Sequence, residues 1–295
     1  MINIKPKISI LFLVLVGIIM IFISLYFLRK IQEESIIPGW PIEQEENRQR
    51  EIAVLKQVFR DNSNINYIQK NQYKIYSNDK IEYSIIDNSP IKEKRVDIKL
   101  LNMDLYENGE NEIIALTSLI FNGDTCTACR SRFYINILKK EKEKYIILNE
   151  QEFKSLESNL FLSDIKIKNA DLLDINNDNV KEIKITFRVD DFLGLDKIKH
   201  VILQWQENKF KVIWQQVIHI NMDNYGRLLE EDKENQDTTY AFEKSDGDYP
   251  NIIVEKYIYK KSGIELNPPG KEKLIYKWNS EKKEYYLFKE EKITE

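Results

Sequence analysis

The feature that most restricts how this chain folds is a unit of roughly 70 residues that recurs three times. In the first copy, Met103-Asp104-Leu105-Tyr106-Glu107-Asn108-Gly109-Glu110-Asn111-Glu112 runs into Ile113-Ile114-Ala115-Leu116. In the second, Leu173-Asp174-Ile175-Asn176-Asn177-Asp178-Asn179-Val180-Lys181-Glu182 runs into Ile183-Lys184-Ile185-Thr186-Phe187. The third is looser, with Glu243-Lys244-Ser245-Asp246-Gly247-Asp248-Tyr249-Pro250 ahead of Ile252-Ile253-Val254. Each copy ends in an aromatic-rich hairpin, at 133–148, 201–215 and 273–288. In the second hairpin Val201, Leu203 and Trp205 alternate on one arm, and Phe210, Val212 and Trp214 on the other. Such arms bury one face and pair aromatics across strands. Each unit therefore reads as strand, acidic turn, strand, connector and hairpin, about four strands, which is the content of one propeller blade. The expected fold class is all-β, with blade-like four-stranded repeats at about 96–160, 165–232 and 235–295 inside a β-rich domain spanning 63–295. Abundant Ile, Tyr and Phe with scarce Ala favour strands in the same way.

Upstream, residues 31–62 read as a linker and a short amphipathic helix. Pro38-Gly39-Trp40-Pro41 makes a stiff extended spacer. Residues 47–60 then place Ile52, Leu55, Val58 and Phe59 on one helical face. Gln72 to Ile86 (QYKIY-SNDK-IEYSII) reads as a hairpin around a polar turn. At the chain start, Ile8 to Leu28 is a stretch of 21 residues without a charge, flanked by Lys5, Lys7, Arg29 and Lys30. As a helix at ~1.5 Å per residue it reaches about 31 Å, enough to cross the hydrocarbon core. It ends in Tyr26-Phe27-Leu28-Arg29-Lys30 with no small-residue cleavage site, so residues 1–30 are expected to form an uncleaved anchor. The expectation is a single-pass protein of the cell membrane, held through residues 8–28, with its C-terminal domain extracytoplasmic.

The second acidic loop carries candidate chemistry. Asp174, Asn176, Asp178 and Glu182 occupy positions 1, 3, 5 and 9, and Val180 offers a backbone carbonyl at 7. Oxygens alternating along a curling turn can converge on Ca²⁺, which takes six to eight of them at ~2.3–2.6 Å. A structural Ca²⁺ is expected here, against the alternative of a metal-free Asx-type turn. The loop is not an EF-hand, because position 12 is Ile185 and position 6 lacks Gly. In the first loop Tyr106 replaces the third ligand; in the third the first acidic position is displaced and Pro250 lies near the last. Those two are expected to be turns that kept their shape and lost the ion.

The Asp174–Glu182 loop followed by Ile183, the weaker Asp104–Glu112 loop followed by Ile113, and their recurrence resemble the calcium-loop propeller repeats of FG-GAP or VCBS type. The resemblance covers about residues 96–295, without the Phe-Gly and Gly-Ala-Pro signatures of that family. It implies an extracytoplasmic β-propeller used for adhesion or ligand display, with calcium as a brace. Three units and a hairpin fall short of the roughly four blades of the smallest closed ring. A ring completed by a divergent blade and an open stack both satisfy this count.

Cys126 and Cys129 form Cys-Thr-Ala-Cys in the first connector. In an exported domain the first reading is a local disulfide. A redox motif would open a helix, whereas Phe133-Tyr134-Ile135 reads as a strand. Haem attachment fails on Arg130, and a closed zinc site would need both His200 and His219, which lie in strand patterns. Forty-four basic and 48 acidic residues are mixed along the chain, and no basic stripe exists to neutralise phosphates, so nucleic acid is excluded as a partner. Lys139-Lys140-Glu141-Lys142-Glu143-Lys144 alternates in sign and reads as a solvated hairpin tip. No nucleophile-elbow serine, phosphate-binding Gly loop or dinucleotide fingerprint is present. The expected function is binding or scaffolding of a protein or glycan partner, with recognition on loops 122–132 and 189–197. A cell-envelope hydrolase using carboxylates, and an accessory subunit of a membrane complex docking through the span and the 47–60 helix, are the competing readings.

Overall fold

The computed structural model describes residues 42–59, 63–69, 71–77, 82–83, 90–91, 93–121, 132–153, 163–191, 196–222, 234–259 and 270–293. Ile8 to Leu28 and both cysteines lie outside these residues. Among the described residues no helix is long and apolar enough to cross a membrane. The chain divides into two compact units, Met1–Arg50 and Glu51–Glu295.

Helix α1 (Ile42–Val58) starts earlier than its apolar pattern indicates, directly after Pro41. In the first unit, Glu45 accepts from Arg48 Nη2 at 2.6 Å and from Gln49 Nε2 at 2.8 Å, which are i+3 and i+4 contacts on one face.

Among the described residues sixteen strands follow. They are β1 (Ser63–Gln69), β2 (Gln72–Ser77), β3 (Glu82–Tyr83), β4 (Pro90–Ile91), β5 (Glu93–Met103), β6 (Glu112–Phe121), β7 (Arg132–Glu141), β8 (Lys144–Phe153), β9 (Ser163–Leu173), β10 (Glu182–Asp191), β11 (Asp196–Gln206), β12 (Lys209–Asn221), β13 (Asn235–Glu243), β14 (Asn251–Tyr259), β15 (Gly270–Asn279) and β16 (Glu284–Ile293). All pairing is antiparallel: one sheet runs β1-β2-β5-β6-β7-β8, a second runs from β9 to β16 in sequence order, and β3 pairs with β4 alone. The described residues are therefore mostly β, and their strands form no closed barrel.

The expected Gln72–Ile86 hairpin is replaced by a different pairing. Strand β2 turns back onto β1, pairing Gln72 with Gln69, and its other edge joins β5. Asn71 between them takes φ +63°, a conformation tight hairpin turns need and Asn tolerates. Strand β3 pairs with β4, Glu82 opposite Ile91.

From β5 onward the chain makes three successive four-stranded meanders, β5–β8, β9–β12 and β13–β16. Residues 104–111 and 174–181 join the first two strands of the first and second meanders, and 244–250 those of the third. The last hairpins close with Glu141 opposite Lys144, Gln206 opposite Lys209 and Asn279 opposite Glu284. Glu207 and Asn208 both take positive φ, +52° and +60°, as a two-residue turn that follows the strand twist requires. Acidic turns and hairpin tips thus share one end of the meanders. The connectors 122–131, 154–162 and 192–195 lie outside the described residues.

Burial explains the apolar runs. Ile114, Leu116, Phe133, Ile135 and Ile137 of the first meander pack on Ile183, Ile185, Phe187, Val201 and Leu203 of the second. Phe133 meets Phe187 edge-on at 5.0 Å. The opposite face of the first meander carries Val96, Ile98, Ile113, Ala115 and Leu138, covered by Val54 and Leu55 of α1 and by Tyr73 of β2. Tyr73 Oη also donates to Glu51 at 2.7 Å. The opposite face of the second meander, Ile202, Ile213 and Trp214, packs on Ile252, Val254, Leu274 and Tyr285 of the third. Strands with both faces covered need unbroken apolar segments such as Ile113–Leu116 and Val201–Leu203. Each large apolar side chain buried this way contributes about 1.5–3 kcal/mol. The third meander has one face dressed instead with Tyr257, Tyr286 and Phe288, which are 39–52% exposed. Lys277 lies over the Phe288 ring, 3.7 Å from its centroid.

The acidic turns and the cleft between them

The first and second acidic turns are built on the same hydrogen bonds. In the second, Asp174 Oδ1 and Oδ2 accept from the backbone N–H of Asp178 and Asn179, both at 3.1 Å. In the first, Asp104 accepts from Asn108 N at 3.1 Å and from Gly109 N at 2.8 Å. The fifth residue repeats the pattern: Asp178 Oδ1 takes Val180 N–H at 2.7 Å, and Asn108 Oδ1 takes Glu110 N–H at 2.8 Å. Positive φ falls at equivalent places, +60° and +67° at Asn177 and Asn179, +52° and +80° at Glu107 and Gly109. Glycine and asparagine suit the sixth position because both enter the left-handed region at low cost.

The ninth residue closes each turn from inside. Glu182 Oε2 accepts Ile175 N–H at 3.1 Å, and Glu112 Oε2 accepts Leu105 N–H at 3.0 Å. Both glutamates are buried. Glu182, which spacing alone places as a ligand, is buried with both carboxylate oxygens accepting N–H groups. The third turn lacks this scaffold. Lys244 stands at its head, and Ser245 substitutes by taking Gly247 N–H at 3.1 Å and donating to the Tyr249 carbonyl.

Among the described residues, no three His, Cys, Asp or Glu side chains are grouped to hold a metal. The groups of the second loop that retain capacity for a cation are the second lone pairs of Asp174 and Asp178 together with Asn176. Asn176 Nδ2 donates to Asp178 Oδ2 at 2.7 Å, while its Oδ1 is buried and without a hydrogen-bond donor. A buried acceptor without a donor carries a free-energy cost, and a hard oxygen-seeking cation relieves it. On this observation Asp174, Asn176 and Asp178 fit Ca²⁺, with the Val180 carbonyl as the further oxygen.

Glu182 links the second meander to the third. Its Oε1 accepts from Gln204 Nε2 at 2.9 Å, and the same amide reaches Tyr249 Oη. Gln206 Nε2 donates to Gln204 Oε1 at 2.6 Å and to the Lys283 carbonyl at 3.1 Å. Burial pushes the Glu182 carboxyl up to about 7, against the opposing pull of the Ile175 and Gln204 hydrogen bonds. Burial also pushes the Tyr249 phenol up to about 12. A carboxyl near 7 is a familiar property of general acids, but Glu182 is fully buried with both oxygens occupied, so no substrate reaches it. His200, in β11, is held down near 4 by burial and by Lys184, with Nδ1 3.0 Å from Tyr240 Oη. It stays neutral at physiological pH.

Between the first two turns lies a cleft of about 650 Å³, within the size range of ligand sites. Met103, Leu105 and Leu172 form its apolar lining, Asp104 and Glu107 belong to one wall, and Asp178 and Lys181 to the other. Trp205 also lines it, and Tyr106 meets the indole nearly perpendicular with ring centroids 6.2 Å apart. Comparison with protein families, curated proteins and solved structures finds no match to this chain.

The sequence-selected residues Asp174, Asn176 and Asp178 come together as one loop. Tyr106, Trp205, Gln204 and Tyr249 were not selected, because their contacts join separate meanders. The one sequence trace of the polar seam is the pair Gln204 and Gln206, amides two residues apart at the end of the apolar run Val201–Leu203. They share a face, as alternate residues of a strand do.

Proposed function

We propose that this chain is a membrane-anchored, extracytoplasmic binding or scaffolding module built of blade-like repeats, and that its recognition site is the cleft between the first two acidic turns. The observation that carries this reading is the cleft itself: loops on rigid, packed meanders present carboxylates, carboxamides and an indole around an apolar floor. The resemblance to FG-GAP or VCBS repeats and the apolar Ile8–Leu28 segment support the extracytoplasmic, anchored part. Ca²⁺ held by Asp174, Asn176, Asp178 and the Val180 carbonyl would brace the second turn and so one wall of the cleft. A Cys126–Cys129 disulfide would tie the connector between β6 and β7.

The test is cross-linked capture of partners from native membranes with the full chain and with Asn111→Trp, an exposed cleft residue enlarged to fill it. Loss of the captured partner supports the reading, and unchanged capture sinks it. Exchanging the transmembrane segment instead tests the accessory-subunit alternative, which requires the partner to disappear. Labelling of a cysteine engineered into β16 by an impermeant reagent in intact cells or spheroplasts checks the orientation; no labelling contradicts it. An Asp174→Ala, Asp178→Ala variant should lose the rise in melting temperature that Ca²⁺ gives the parent, and an unchanged calcium response would remove the ion from the proposal.

A further inference from the structure

We infer that the cleft accepts a cationic side chain, an arginine or lysine from a basic segment of a protein partner; this rests on the reading of the cleft as a recognition site. The walls carry Asp104, Glu107 and Asp178 against the cationic Lys181, so the lining is net negative, and with Ca²⁺ held by Asp174 and Asp178 the acidic wall would still be Asp104 and Glu107. Lys139 of the neighbouring hairpin tip is paired instead with Glu110 at 2.6 Å. Asp104 and Asp178 spend part of their hydrogen-bonding capacity on turn N–H groups but keep their charge and further lone pairs. Glu107 projects from a residue held at φ +52° and is exposed.

The remaining surface selects among cations. Met103, Leu105 and Leu172 suit the aliphatic stem of a long basic side chain, which packs on apolar surface while its head stays polar. Trp205 suits the head, since cations are attracted to the indole face, and guanidinium groups also stack on it. An inorganic cation would use only the carboxylates and leave the apolar floor and indole without a role. An acidic or phosphorylated segment would be repelled by three carboxylates.

The experiment uses the full chain in nanodiscs of uncharged lipid, with fluorescein-labelled Gly-Gly-Xaa-Gly-Gly peptides in which Xaa is Arg, Lys, Gln or Glu, read by polarisation. The Arg and Lys peptides should bind and the Gln and Glu peptides should not, with affinity falling as salt rises. Glu107→Gln, an exposed substitution that leaves the turn bonds intact, should weaken Arg-peptide binding about two- to fivefold. Lys181→Gln should strengthen it by a similar factor. Equal binding of the Gln peptide, or no response to either variant, overturns the charge assignment. Binding of a neutral oligosaccharide that Asn111→Trp blocks would also overturn it, while leaving the cleft as a recognition site. Partner capture indifferent to Asn111→Trp would instead remove the site itself, so the two failures are distinguishable.

Discussion

The interface between the first and second meanders and that between the second and third are made of different chemistry. The first is dominated by aliphatic side chains around the Phe133–Phe187 pair, with the Gln151 side chain clamping the Phe210 backbone at the margin, donating to its carbonyl at 2.7 Å and accepting its N–H at 2.8 Å. The second has a smaller aliphatic component and a larger aromatic one, with Tyr249 stacked on Trp278 at 4.0 Å and Trp214 packed on Tyr240 at 4.9 Å. Through it runs the Glu182–Gln204–Tyr249 chain. Apolar contacts are insensitive to pH, whereas a buried carboxyl ties stability to proton concentration. Two copies of one unit thus reach similar packing with different responses to their surroundings.

That contrast can be broken most forcefully at Phe187. Replacement by alanine leaves a cavity in the apolar interface and should cost about 3–5 kcal/mol in a denaturant titration. A loss below 1 kcal/mol would show that this interface carries little of the stability. The second experiment concerns pH. Glu182 in the folded chain titrates near 7, above its ordinary 4.5. The folded state therefore binds this proton more tightly than the unfolded one. Its contribution is fully present below about 4.5 and is lost as pH rises through about 7. The difference in melting temperature between parent and Glu182→Gln should accordingly change sign or shrink across that window, by an amount worth about 1–3 kcal/mol. A difference constant from pH 4 to 8 would refute the assignment.

Smaller effects sharpen the comparison. Tyr249→Phe removes the phenol oxygen beside Gln204 and should cost about 1 kcal/mol, measured by the same denaturant titration. A loss matching Phe187→Ala would erase the distinction between the interfaces. The least effect is expected at His219, whose Nδ1 lies 2.7 Å from Asp237 Oδ1 in a solvent-accessible pair on β12 and β13. His219→Gln should change stability by less than about 1 kcal/mol. A larger loss would mean that this pair, rather than the aromatic packing, secures the third meander.

Much of the architecture was legible in the residues themselves. Apolar runs after each acidic turn, and the alternating arms of the hairpins, made an all-β chain the natural reading, because period-two patterning is a local property. The turns repeated legibly because Asp104 and Asp174, Asn108 and Asp178, and Glu112 and Glu182 keep their spacing. What the spacing could not convey is direction. Glutamate, one methylene longer than aspartate, reaches back to the N–H of the second turn residue, so Glu182 acts as an internal strut of the turn. The β1–β2 turn at Asn71 was obscured by a polar stretch that resembles a longer hairpin. The cleft was not legible at all. Tyr106 and Trp205 are brought together by the stacking of two meanders, and no local period encodes a contact across a hundred residues.

The join between β12 and β13 has a mechanical consequence. Among the described residues two pairs, His219 with Asp237 and Ile220 with Gln236, connect these strands, whereas nine pairs connect β13 to β14. The third meander is therefore held to the second mainly by the side chains pressed between their faces and by the Glu182–Gln204–Tyr249 bonds, so its place depends on lateral contact more than on a shared ladder.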